Sequence, residues 1–183
     1  MSKLVNKYKW CVLAKWALDN QDYELAEALK NQLWNRPAFQ KMNPMEVVGK
    51  CYWGCVNEYA IIDLLRLLNY DVQDNSLQDS LLGCDATDEE FSEASKADIT
   101  INGVAYDIKT NDWSGDCDHK LHPNKFKHII YPERIATRLT GRLVLKHYDT
   151  NTREYVLNVL GKPSGWFINI KKMWDARFKN ESL

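Results

Sequence analysis

Hydrophobic positions follow a helical period through the first third of the chain and a strand period further on. Over residues 3–18, Leu4, Tyr8, Cys11 and Val12 recur at helical spacing, and over residues 22–34 Leu25, Ala26, Leu29 and Leu33 do the same. Two helices are therefore expected to open the chain, with Asn20 and Asp22 suited to capping the second. Asn43-Pro44-Met45-Glu46 starts a third helix, with an N-cap, a proline at the first helical position and a glutamate in the first turn. It is expected to reach about residue 69. Its stripe at spacings of four and three is Cys51, Cys55, Glu58, Ile62 and Leu65, and Glu58 is its one charged member. An acid on a core-facing stripe is costly unless it has a partner or is carried to an edge.

Residues 70–73 are strand-like, and the acidic stretch 74–93 reads as a solvated loop or short helix. Residues 97–110, ADITINGVAYDIKT, form the clearest local signal. Asn102-Gly103 predicts a two-residue hairpin turn in which both residues take positive φ. That turn sets Ile101 opposite Val104, Thr100 opposite Ala105, Ile99 opposite Tyr106 and Asp98 opposite Asp107. Side chains alternate between faces along a strand. Ile99, Ile101, Val104, Tyr106 and Ile108 thus share an apolar face, and Asp98, Thr100, Ala105, Asp107 and Lys109 share a polar one. A Gly/Asp-rich loop over 111–118 follows. Residues 132–139 read as a short helix, with Pro132 near its start and Gly141 as its C-cap. Strands are expected over 142–148 and 153–160 around a turn at 149–152. A last strand, 166–170, and a basic amphipathic helix, 171–178, close the chain. This order implies an α/β sandwich with a central mixed sheet flanked by helices, preceded by extra N-terminal helices.

Composition narrows the class. Of the 183 residues, 45% are hydrophobic and 27% charged, which excludes a disordered chain and suits one domain with a real core. No stretch approaches the ~20 apolar residues of a membrane span, so no membrane partner is expected. The start, MSKLVNKYKW, has no continuous apolar run, so no signal peptide is expected. Five cysteines without a disulfide rhythm fit a reducing cytoplasm. The net charge of −1 conceals an asymmetry. Residues 1–118 hold 20 acidic against 11 basic side chains, and residues 119–183 hold 5 against 13. That division suits a protein holding a polyanion in one region and metal ions in another, and equally a chance spread of surface charge.

The polar face of the hairpin carries the candidate chemistry. Two carboxylates directly opposite on a ladder repel at a Cβ separation of ~5 Å, so a cation should compensate. Lys109 supplies one positive charge, and a divalent ion would supply more. Glu58 on the preceding helix, Asp98 on one strand and Asp107-Ile108-Lys109 on the next together resemble the PD-(D/E)xK nuclease superfamily, which includes type II restriction enzymes, Holliday-junction resolvases and phage exonucleases. Ala97 stands where that family often has proline, Asp107 is the permitted alternative to glutamate, and the eight residues between the acids are a short spacing. The resemblance covers residues 44 to about 148 and implies a restriction-endonuclease-like core of helix, three strands, helix and strand. On that basis residues 1–43 form an N-terminal extension, 44–160 the core, and 161–183 a C-terminal strand and helix. It further implies Mg²⁺, replaceable by Mn²⁺, held by Asp98, Asp107, the Ile108 carbonyl and Glu58. Glu58, Asp98, Asp107 and Lys109 are then the catalytic set of a DNA-cleaving hydrolase, most readily an endonuclease. A symmetric duplex cutter would be a homodimer.

Other features qualify this reading. Cys117, His119, His122 and His128 are candidate zinc ligands, but their spacing fits no closed zinc pattern. Alternatively they line a loop near the site, with Lys120, Lys125 and Lys127 approaching a phosphate backbone. Arg134, Arg138, Arg142, Lys171 and Lys172 are further candidates for phosphate contact. Trp113, Trp166 and Trp174 are candidates for stacking on bases. Two other functions remain open: a catalytically silent nucleic-acid-binding or assembly protein of the same fold, and a nuclease directed at RNA or junctions.

Overall fold

The computed structural model describes residues 7–33, 37–75, 98–109, 128–135, 138–149, 151–161 and 165–181. They form an α/β arrangement of five helices and one six-stranded mixed sheet. The helices are α1 (Lys7–Asn20), α2 (Tyr23–Gln32), α3 (Pro37–Gln40), α4 (Pro44–Leu67) and α5 (Trp166–Asn180). The strands are β1 (Val72–Asp74), β2 (Ile99–Ile101), β3 (Val104–Ile108), β4 (His128–Ile135), β5 (Arg138–Asp149) and β6 (Glu154–Val159), adjacent in chain order. Every neighbouring pair is antiparallel except β3 and β4. A parallel pair requires a crossover of a dozen or more residues. The chain between β3 and β4 has that length but lies mostly outside the described residues.

The chain divides into two compact units, with the boundaries falling inside α4 and α5. The first contains α1–α3, α4 through Val56 and α5 from Met173. Its core includes Trp10, Ala14, Leu29, Val48, Tyr52 and Phe178. Asp22 caps α2 as expected, its carboxylate accepting from the Leu25 N–H at 3.0 Å. Asn20 instead ends α1 and bonds back to the Trp16 carbonyl. A polar network lies in this unit. The Tyr52 hydroxyl donates to Asp175 at 2.6 Å, and Lys15 lies 3.1 Å from both Asp175 and Asp19.

The second unit runs from Asn57 to Asn75 and, in its described part, from Asp98 to Lys172. Asn43 receives the Met45 N–H at the start of α4. The far end of α4 closes at Asn69, whose left-handed φ of 64° lets the Tyr70 N–H reach Leu65 and its own N–H reach Arg66. The buried residues of α4 here are Ala60, Ile61, Ile62, Leu64 and Leu65, together with Asn57. Ile62 and Leu65 of the stripe read in the sequence are thus buried, and Asn57 is buried beside the half-buried Glu58. Cys51 and Cys55 are also half-buried.

Two elements differ from expectation. Residues 132–135 and 138–139, expected in a short helix, instead belong to β4 and β5: Pro132 is a buried residue of β4, next to a bulge between Pro132 and Arg134. Proline is tolerated in a strand at such an irregularity, and the β-branched and aromatic run Ile129-Ile130-Tyr131 favours the pleat. Gly141, with φ of 78°, lies inside β5 rather than capping a helix. Residues 166–170 are not a strand but the first turns of α5. Phe167 and Ile170 are buried at a spacing of three, while the intervening Asn169 is exposed, which is helical periodicity.

A candidate active site at the end of the hairpin

The turn behaves as its sequence dictates. Asn102 and Gly103 have φ of 50° and 79°, and the ladder sets Ile101 against Val104, Thr100 against Ala105 and Ile99 against Tyr106. Ile99, Ile101 and Ile108 are buried, whereas Val104, expected on the core face, is exposed because it sits at the hairpin tip. The fourth expected pair, Asp98 with Asp107, is not part of the ladder. The Asp98 N–H donates to the Tyr106 carbonyl at 3.1 Å, so Asp98 and Ile99 both address Tyr106. Two residues facing one is the arrangement of a β-bulge, and it re-aims the extra side chain.

The re-aimed carboxylate goes to the next strand. Asp98 Oδ2 accepts the backbone N–H of Ile108 at 2.6 Å. That amide belongs to the peptide joining Asp107 to Ile108, so Asp98 is seated on the Asp-Ile-Lys segment. Asp98, Asp107 and Lys109 are all half-buried. The backbone of Lys109 is fixed on both sides. Its N–H donates to the Ile130 carbonyl of β4 at 2.9 Å, and its own carbonyl accepts from Asn57 Nδ2 at 3.1 Å. Asn57 is completely buried, and its Oδ1 has no hydrogen-bond partner among the described residues. Leaving such an atom unpaired costs about 1–3 kcal/mol.

Asn57 is the site residue that the sequence reading missed. A helical wheel centred on Val56, Ala60 and Leu64 would have found it, as the one amide on a buried stripe. Glu58 follows it on α4 and is half-buried. Among the described residues, no three His, Cys, Asp or Glu side chains converge closely enough to hold a metal ion. The donors at the hairpin end, two carboxylates and the Ile108 carbonyl, are all hard oxygens, the chemistry that suits Mg²⁺.

The other candidates are placed as follows. Lys120, Lys125, Lys127, Cys117, His119, His122 and Trp113 lie outside the described residues. Arg134 and Arg138 flank the β4–β5 connection, but their side chains also lie outside that description. Arg142 is tied locally: its Nε is 3.4 Å from the Glu133 carboxylate, which also accepts from the Thr140 hydroxyl at 2.7 Å. Lys171 lies over the Phe167 ring, Lys172 and Trp166 are exposed, and Trp174 lies beneath the Arg177 guanidinium. No helix among the described residues is long and apolar enough to cross a membrane. Comparison with family models, curated proteins and solved structures gives no match to this chain.

Proposed function

We propose that this chain is a metal-dependent nuclease of the PD-(D/E)xK kind that hydrolyses phosphodiester bonds of DNA as an endonuclease. The contact that carries the reading is the 2.6 Å bond from the Ile108 N–H to Asp98, which seats one acid against the peptide of the other. The element order is compatible with it: α4, then β1, β2 and β3, then β4 parallel to β3. In this reading, residues 44–160 form a restriction-endonuclease-like core whose crossover falls between β3 and β4.

Each residue has a defined task. Asp98 and Asp107 present carboxylate oxygens and Ile108 a carbonyl, a donor set for Mg²⁺ or Mn²⁺. The bound ion supplies charge neutralisation at the scissile phosphate. Lys109 rides on a backbone held from both sides. Its ammonium is thereby pre-positioned to stabilise charge that develops on the phosphoryl oxygens or to orient the attacking water. Glu58 supports the site from the helix that also holds the Lys109 carbonyl through Asn57. Basic residues of the C-terminal third, Lys171 and Lys172 among them, hold the phosphate backbone. Cutting both strands symmetrically requires two copies about a twofold axis.

The test is incubation of purified protein with plasmid, linear duplex, single-stranded DNA, a branched junction and RNA, in Mg²⁺, Mn²⁺ or EDTA. Cleavage of DNA with either metal and none with EDTA is expected, and Asp107→Ala and Lys109→Ala should abolish it while circular dichroism stays unchanged. Absence of cleavage on every substrate, or cleavage retained by either folded variant, overturns the proposal.

A further inference from the structure

We propose that His128 and His147 form a cross-strand binding site for a transition-metal ion that prefers imidazole, such as Zn²⁺, Ni²⁺ or Cu²⁺, separate from the carboxylates of the hairpin. The two histidines are directly opposite on the antiparallel β4–β5 ladder, and their ring centroids lie 6.1 Å apart with planes inclined by 30°. At metal–nitrogen bonds of ~2.0–2.1 Å, two imidazoles sharing one ion place their centroids roughly 5–6 Å apart, so a small side-chain rotation closes the site. Both rings are half-buried, which leaves an ion an approach from solvent and room for water at its remaining positions.

The surroundings favour this role over simple packing. At a centroid separation of 6.1 Å and an inclination of 30° the rings do not stack face to face. Tyr106 braces one partner, with its ring edge-on to His128 at a centroid distance of 5.5 Å. The register fixes the face. Asp107 pairs with Ile129 and Ile129 with Lys146, so Tyr106 and His128, one residue earlier on their strands, and His147, one residue later on antiparallel β5, lie on the opposite face of the sheet. The pair is therefore not part of the proposed nuclease site, and its chemistry differs: soft-tolerant nitrogen donors here, hard oxygen donors there.

The test uses tag-free, EDTA-treated full-length protein titrated with Cu²⁺ and read by electron paramagnetic resonance. Hyperfine coupling to two imidazole nitrogens is expected in the wild type and in Asp107→Asn. One nitrogen should remain in His128→Gln or His147→Gln and none in the double variant. Zn²⁺ should raise the melting temperature of the wild type by several degrees at a large excess over Kd and leave the double variant unmoved. Should a glutamine variant fail to fold, imidazole ¹⁵N spectra of the wild type decide: of the four histidines, His128 and His147 alone should shift with Zn²⁺. Absence of imidazole coupling in the wild type, coupling that survives in the folded double variant, or shifts at other histidines instead would each overturn the site.

Discussion

Asp98 has two tasks that can be separated by substitution. Its carboxylate accepts the Ile108 N–H, and in the proposed reaction it also supplies charge to the site. Asp98→Asn keeps an acceptor for that N–H but removes the charge, so it should leave thermal stability within about 1 kcal/mol of the wild type and abolish cleavage. Asp98→Ala strands the N–H as well and should cost roughly 1–3 kcal/mol in urea denaturation. Equal stability losses in the two variants would contradict this division. Asn57→Ala removes the donor to the Lys109 carbonyl, and the same measurement should register a loss of about 1–3 kcal/mol. The Asn102-Gly103 turn and the pairs it sets, Ile101 with Val104, Thr100 with Ala105 and Ile99 with Tyr106, were legible in the sequence alone. Asp98's bulge was not, because a bulge depends on how β1 and β3 grip β2 from either side. The Asp98 carbonyl also accepts from Asn75, a contact invisible to local pattern.

At the scale of elements, the hairpin rests on Gly103. A Cβ at that position would meet nothing within 4 Å, so the penalty of Gly103→Ala is purely conformational. An L-residue with φ of 79° pays about 1–2 kcal/mol, which equilibrium denaturation should show, together with slackened register and reduced cleavage. A second prediction concerns α1, α4 and α5. Burial, then the bond to Asp175, raises the Tyr52 pKa above that of an exposed tyrosine. Burial opposes the charge on Lys15, but Asp175 and Asp19 outweigh it and raise its pKa too. Both folded groups hold their protons where the unfolded chain releases them. Their stabilisation is therefore complete below about pH 10 and declines as pH rises further. Tyr52→Phe should cost about 1–3 kcal/mol at pH 7 and flatten part of the decline above pH 10. Parallel pH profiles for the two proteins would refute the assignment. Helices with cap signals, such as α2 and α4, were legible in the sequence. The misread elements were those where one proline carried the decision at Pro132, or where Trp166-Phe167-Ile168 offered an apolar run too short to have a period.

The α/β class of the whole chain followed from the alternation of its patterns. Its division into two units did not, because the boundaries cut through α4 and α5 rather than through a linker. Asn57, Glu58, Asp98, Asp107 and Lys109 all belong to the second unit. The basic excess after residue 119 falls largely in it as well, which is why a polyanion is the expected substrate. If the proposed function holds, binding to DNA should weaken steeply as salt rises, as fluorescence anisotropy would show, with a slope that falls by about one when Lys172, proposed to hold phosphate, is replaced by alanine. The function as a whole turns on whether a tight turn assembles an acid pair beside a fixed lysine for phosphodiester hydrolysis. The rate of Mg²⁺-dependent DNA cleavage by Asp107→Asn, measured beside the wild type at matched fold and DNA affinity, addresses that directly. A fall of roughly 100-fold or more is expected, and a rate within about threefold of the wild type would contradict it.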